Sequence, residues 1–425
     1  MTKVSKYAAA IISTFLAASC FILFFSASSK TVPARGALPS IYSERLFEEV
    51  YIEDDAIPLD EFSDALLIEE PDPYGEHEAN AREILASMTD DEKLYQLFFV
   101  TPEALSPRFK RVYAAGEATR QALEAQPVGG IVYFGQNLVD ADQTAEMLAN
   151  TQSYTKIPLF LGVDEEGGRV SRISSQTAMG FEEIPPMGEI GASGDLRRAY
   201  EAGVYIGNML SSLGFNLDFA PVADVLIAAD NEVIGNRSFG SDPELVSMMT
   251  ANFTEGLRSS GTAATLKHFP GHGSTNDDSH SGRAVSERTL EEMREAEFLP
   301  FISGIEAGAD LVMLSHISAA NVDAGDMPSS MSKEIAGLLR EELGFRRVII
   351  TDALNMGAVA KEYAGGLAAV QALLAGADML LMPNDLTESV QALREALESG
   401  DLTWERVDES VVRILTVKLE REIIK

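Results

Sequence analysis

Residues 262–271 read TAATLKHFPG. A run of small, aliphatic and β-branched residues reaches a polar pair, Lys267 and His268, and is then stopped by Pro270 and Gly271. The run is too short for a buried helix, and proline next to glycine ends regular structure. The stretch therefore reads as a buried strand that delivers two polar side chains into a loop. Runs of the same kind recur along the chain: GGIVYF (129–134), IPLFLGVD (157–164), FNLDFAPVAD (215–224), ADLVMLSHI (309–317), RRVIITDAL (346–354) and GADMLLMP (376–383). Most are followed by a helical pattern, as in SERTLEEMREAEFLPFISGIEAG (286–308). Upstream, REILASMTDDEKLYQLFFV (82–100) carries a helix start at Thr89, with Asp90 to Glu92 just inside it. Seven or eight strand–helix units in about 340 residues favour a closed parallel barrel over an open sheet. The expected fold is α/β, a TIM-like (β/α)8 barrel forming a single catalytic domain over residues 79–425.

Polar residues close these runs: Asp164, Asp224, Lys267 with His268, His316 and Asp352. In a parallel barrel all such ends converge on one face, where the active site lies. One polar strand end is most simply a solvated or capping group; five on separate strands point to a site.

Composition limits what the site can serve. The chain has 425 residues, is 46% hydrophobic and carries a net charge of −33. It can bury a large core, and its charge argues against nucleic acid or an anionic membrane surface as the partner of the folded part. The single cysteine, Cys20, excludes an internal disulfide and any multi-cysteine metal site. Cys20 lies inside Tyr7–Ala27, an uncharged apolar run preceded by Lys3 and Lys6 and just long enough to cross a bilayer. LAASC (16–20) resembles a bacterial lipoprotein processing site. Residues 1–28 are expected to be a signal peptide or membrane anchor, which places the rest outside the cytoplasm, on the cell surface, in the periplasm or secreted. Residues 29–78, acidic and proline-bearing without a sustained apolar period, are expected to form an irregular linker.

The strand at 262–269 runs on into KHFPGHGSTNDDSH (267–280), which holds three of the five histidines. His268 and His272 have the four-residue spacing of helical zinc ligands, but Pro270, Gly271 and Gly273 make a helix improbable there, so no metal and no cofactor is expected. Asp278 and His280 are two residues apart. In an extended segment they face the same way, so the carboxylate can hold one imidazole nitrogen and leave the other free for proton transfer.

Together with DEEGGRVSR (164–172), FAPVADV (219–225), NRSFG (236–240) and ITDALNMGAV (350–359), this stretch resembles the family 3 glycoside hydrolases, in particular bacterial β-N-acetylglucosaminidases acting on peptidoglycan fragments. The similarity runs from about residue 83 to VDESVVRILTVK (407–418). The resemblance implies a retaining exo-glycosidase with Asp352 as nucleophile and His280, paired with Asp278, as acid/base. It assigns substrate binding to Asp164, Arg172, Arg237, Lys267 and His268. The implied substrate is an amino-sugar oligosaccharide or muropeptide, and the enzyme is expected to be a monomer. Ser274 stands where many relatives carry an aspartate, and the α/β sandwich domain that follows the barrel in many members is not expected here. The alternatives are a β-glucosidase or glycosyl phosphorylase of the same family, and a sugar-binding barrel without activity.

Overall fold

The computed structural model describes residues 73–275, 284–324 and 327–425. The apolar runs become eight short strands: β1 (Phe98–Val100), β2 (Gly130–Val132), β3 (Phe160–Val163), β4 (Leu217–Asp218), β5 (Ala263–Phe269), β6 (Leu311–Leu314), β7 (Val348–Thr351) and β8 (Leu380–Leu381). Each pairs in parallel with its neighbour in chain order, and β8 returns to β1 through Phe98 opposite Leu380 and Phe99 opposite Leu381. A parallel bridge from Ile350 to Met379 closes the ring between β7 and β8. The expected α/β, TIM-like barrel is therefore observed. Helices such as Ala141–Ser153, Leu196–Leu213, Pro243–Ser259 and Phe298–Glu306 fill the crossovers.

The strands are buried along their whole length because helices cover the outer face of the ring and side chains fill its interior. Inside the ring, Phe99 stacks on Phe160 at 6.4 Å between centroids and meets Phe219 edge-on at 5.2 Å. Glycines on the two following strands make room for it. A Cβ at Gly130 would come within 2.7 Å of the Phe99 ring, and one at Gly162 within 2.8 Å. Each phenylalanine so buried contributes roughly 2–3 kcal/mol relative to exposure.

Thr89 caps the helix Asp90–Gln96 as the sequence indicates. Its hydroxyl accepts from Glu92 N (3.2 Å), and the Glu92 carboxylate accepts from Thr89 N (2.8 Å). The strand that follows, β1, sits at the tail of this helical pattern, and three residues are too few to show a strand period of their own. The linker boundary moves: a helix covers Pro73–Ala86 and packs against the C-terminal helix Trp404–Glu420. Residues 73–78, expected to be irregular, form its start. Prolines at 71 and 73 suggest a break, yet proline is well placed in the first turn of a helix. The apolar run at 7–27 and residues 29–72 of the linker lie outside the described residues. Among the described residues no helix is long and apolar enough to cross a membrane.

Lys418 is fully buried. Its Nζ donates to Gln96 Oε1 at 2.9 Å and stands 5.2 Å from the centre of the Phe160 ring. Burial with no carboxylate to offset it pushes the ammonium down to about 7.

Candidate active site

A cleft of about 950 Å³ opens where the strands end, and Asp164, Arg172, Arg237, Lys267, His268 and Asp352 all line it. Neighbours in a regular strand face opposite ways, yet Lys267 and His268 both reach the cleft. The pairing of β5 with β6 shifts register between Leu266 and Phe269, so regular alternation is broken where both side chains enter the cleft.

Lys267 Nζ lies 2.8 Å from Asp164 Oδ1 and 2.6 Å from Glu166 Oε1. Arg237 grips the same Glu166 with two bonds, Nε to Oε2 and Nη2 to Oε1, both 2.8 Å. Arg172 is looser, 3.7 Å from Asp164 Oδ2, with its guanidinium 5.6 Å from the centre of the Phe134 ring. Burial alone would raise the Glu166 carboxyl, but Arg237 and Lys267 outweigh it and hold the group below the usual range. Burial likewise lowers Lys267, and Asp164 with Glu166 reverse this to a net rise. Glu166 and Lys267 are therefore both charged at neutral pH, and the cluster around them offers donors and acceptors suited to sugar hydroxyls.

The tripeptide Asp164–Glu166 divides its labour by alternation. Asp164 and Glu166 face the cleft, whereas the fully buried Glu165 faces away. Its carboxylate accepts from the backbone N–H groups of Arg172 (2.7 Å), Ile173 (2.8 Å) and Ser174 (3.1 Å), and from the hydroxyls of Ser171 (2.6 Å) and Ser174 (2.7 Å). That grip holds the loop carrying Arg172. The hairpin between them turns at Gly167 and Gly168, both at positive φ (83° and 58°), where glycine costs least.

His268 is set by Asp224. Its Nδ1 lies 2.7 Å from Asp224 Oδ2, and its Nε2 faces Arg237 Nη2 at 3.5 Å. Arginine only donates, so this geometry suits the tautomer protonated at Nδ1. Asp224 is fully buried, which raises its carboxyl, but His268 brings it to a net lowering. Asp224 Oδ1 also accepts from His272 N at 2.6 Å. His272 lines the cleft, its ring bonded to Thr275 Oγ1 at 3.1 Å, and burial followed by the neighbouring His268 lowers its imidazole. Its backbone thus ties the loop to the barrel.

Asp352 follows β7. Its Oδ1 accepts from Ala353 N at 2.7 Å, and its own N–H donates to Leu314 O at 2.8 Å. His316, at the end of β6, does not line the cleft. Its Nε2 donates to Ala353 O (2.9 Å) and its Nδ1 accepts from Ser330 Oγ (2.8 Å), so it props the turn that carries Asp352.

Asp278 and His280 lie outside the described residues. The stems on either side of them are tied beside the cleft: Gly273 O accepts from Ile227 N (3.1 Å) and Ala228 N (2.9 Å), and Ser274 Oγ meets Ser286 Oγ at 3.0 Å. Ser274 thus joins the outgoing stem to the returning one. Among the described residues no group of His, Cys, Asp and Glu is arranged to hold a metal ion.

The sequence reading passed over Glu166 as a partner of the cations and Glu165 as the support of the loop. Both stand in the quoted DEEGGRVSR, and the two-residue step from Asp164 to Glu166 was the available signal.

The profile of the glycosyl hydrolase family 3 N-terminal domain matches residues 89–417. A β-hexosaminidase of Stenotrophomonas maltophilia (strain R551-3) is 36% identical over 285 residues, 65% of this chain and 82% of that protein. Among solved structures, a family 3 β-N-acetylglucosaminidase from Paenibacillus sp. str. FPU-7 superposes with a TM-score of 0.74 and 37% identity, over 79% of this chain and 63% of that one. The β-N-acetylhexosaminidase of Beutenbergia cavernae DSM 12333 gives 0.70 and 29%, over 78% of this chain and 98% of that one. The chain thus spans less than two thirds of the Paenibacillus protein and nearly all of the Beutenbergia one. With the family profile covering the barrel from the helix before β1 into the C-terminal helix, this chain belongs to family 3 of the glycoside hydrolases and is a glycosidase acting on O-glycosyl bonds.

Proposed function

We propose that the protein is a retaining exo-β-N-acetylglucosaminidase that removes terminal N-acetyl-β-D-glucosamine from peptidoglycan fragments or related oligosaccharides. The observation that carries this reading is the meeting of Asp352 with Asp164, Arg172, Arg237, Lys267 and His268 in one cleft. Relatives named β-hexosaminidase and β-N-acetylglucosaminidase support the amino-sugar specificity.

In this mechanism Asp352 attacks the anomeric carbon as the bond to the leaving oxygen breaks, giving a glycosyl-aspartate. His280 donates its proton to that oxygen. It then takes a proton from the water that cleaves the intermediate, which returns both groups to their starting states. Asp278 orients the imidazole and stabilises its charged form, so that one residue serves as acid and then as base. The ion-paired floor of the cleft holds the sugar; Lys267, Arg172 and Arg237 donate to hydroxyls or the acetamido carbonyl, and Asp164 accepts.

An extracytoplasmic location belongs to the same proposal, with residues 1–28 as signal or anchor, because peptidoglycan lies outside the cytoplasm. The test is release of nitrophenol from 4-nitrophenyl N-acetyl-β-glucosaminide beside the corresponding glucoside, with and without phosphate. The proposal expects the amino sugar to be cleaved, free of any need for phosphate. No release from it, or a phosphate-dependent sugar phosphate, contradicts the reading.

A further inference from the structure

SPRFKRVYAAG (106–116) places three cations within four residues and interleaves them with two aromatics, in a chain whose net charge is −33. It lies between the helices Pro102–Leu105 and Glu117–Ala125, in the connection after β1, and so on the barrel face that carries Asp352. Residues 107–111 are exposed, with Phe109 at 45% and Tyr113 at 54%. Arg108 lies over the Phe109 ring at 4.9 Å and Arg111 over the Tyr113 ring at 5.4 Å. Arg120 nearby is paired with Glu117 and Glu124, but among the described residues Arg108, Lys110 and Arg111 have no carboxylate partner. Glu103, the acid closest in sequence, turns inward: its Oε1 accepts from Val112 N (2.9 Å) and Asn137 Nδ2 (2.7 Å), and its Oε2 is buried.

The loop is tied to the segment that follows the cleft-lining Phe134. Arg111 Nε donates to Gln136 O, Asn137 Nδ2 to Val112 O at 2.7 Å, and Gln143 Nε2 to Tyr113 O at 2.6 Å. Phe134, two residues before Gln136, lines the cleft and carries Arg172 over its ring. The basic loop is thus fixed one layer outward from the cleft wall. A terminal sugar seated on the ion-paired floor leaves the rest of its chain to pass over the rim of the cleft, and the loop stands behind the Phe134 side of that rim.

We propose that residues 106–114 form the binding site for the leaving-group sugar and select one that carries a carboxylate. Arg108 and Lys110 meet the carboxylate, and the outer faces of Phe109 and Tyr113 take the apolar face of the sugar ring. The strongly acidic chain repels an anionic ligand over most of its surface, and this basic loop reverses that locally beside the cleft. The inference rests on the glycosidase reading above and names the part of the substrate that the floor of the cleft does not touch.

The experiment compares two disaccharides, N-acetylglucosamine β-1,4-linked to N-acetylmuramic acid and the methyl ester of the same compound, at low ionic strength. The wild type is expected to favour the acid about fivefold in kcat/KM, the scale of an exposed charge pair. That preference is expected to vanish in the double variant Arg108→Gln, Lys110→Gln, and in the wild type at about 0.5 M salt, where charges a few ångströms apart are screened. Tyr113→Ala is expected to raise KM for both disaccharides and keep the acid-to-ester ratio. A wild type that cleaves both alike, or a double variant that keeps the preference, overturns the subsite while leaving the glycosidase reading intact. Failure on 4-nitrophenyl N-acetyl-β-glucosaminide overturns that reading, and the subsite with it.

Discussion

Glu166 decides how the floor of the cleft is built, because Lys267 and Arg237 both bond to it out of solvent. Removing its charge leaves two buried cations short of a partner, although Lys267 keeps Asp164. Glu166→Gln is expected to cost about 3 kcal/mol in denaturant unfolding and to raise KM more than it lowers kcat, since it disturbs binding groups and not the nucleophile. An unchanged midpoint would show that the cations are held by their other contacts. His280→Ala is expected to slow cleavage of an alkyl β-N-acetylglucosaminide by about 10²-fold or more. It should spare 4-nitrophenyl N-acetyl-β-glucosaminide, whose leaving group needs little protonation, in its glycosylation step. Equal losses on both would remove His280 as proton donor. At this scale the sequence was most legible where a residue ends a strand: Asp164, Lys267, His268 and Asp352 all arrive in one cleft. It was least legible for Glu165 and Glu166, whose opposite roles depend on which way a short hairpin faces.

At the level of elements, runs of β-branched and aliphatic residues closed by polar ones were enough to count most of the barrel. The run at Phe98–Val100 was harder to see, because a strand this short leaves no period of its own after a well-marked helix. The helix at Pro73–Ala86 was hidden for a different reason: its first turn is acidic and follows prolines, and its stability comes from docking on Trp404–Glu420, a tertiary contact that no local pattern announces. Closure also depends on size. Phe99 fits inside the ring because Gly130 and Gly162 lack side chains. Gly162→Ala would bring its Cβ to 2.8 Å from Phe99, 3.1 Å from Leu217 and 3.2 Å from Phe219. It is expected to destabilise the protein by about 1–3 kcal/mol in urea unfolding with little change in the slope. A neutral result would mean that the aromatic core can shift to admit a methyl group.

At the scale of the whole molecule one electrostatic cost is that of Lys418, whose ammonium is buried with Gln96 as its hydrogen-bond acceptor. Its ordinary value of 10.5 falls to about 7 on folding. Below pH 7 the folded state carries the full penalty of the buried charge. Between 7 and 10.5 the folded form releases the proton while the unfolded chain retains it, so stability rises with pH by at most about 1.4 kcal/mol per unit from this group. Lys418→Met is expected to stabilise the protein most below pH 7 and to flatten that rise, read from urea midpoints at several pH values. A variant less stable than the wild type at pH 6 would show that the Gln96 bond outweighs the desolvation. The same acidic chain brings Asp352 into an ion-paired cleft, and the proposed mechanism makes its carboxylate the nucleophile. The most direct test uses a 5-fluoro N-acetyl-β-glucosaminyl fluoride, which slows breakdown of a covalent intermediate. Mass spectrometry is expected to find one glycosyl group per chain, carried by Asp352 and absent from Asp352→Ala; an adduct on another residue, or inverted sugar released with no adduct, would contradict the account.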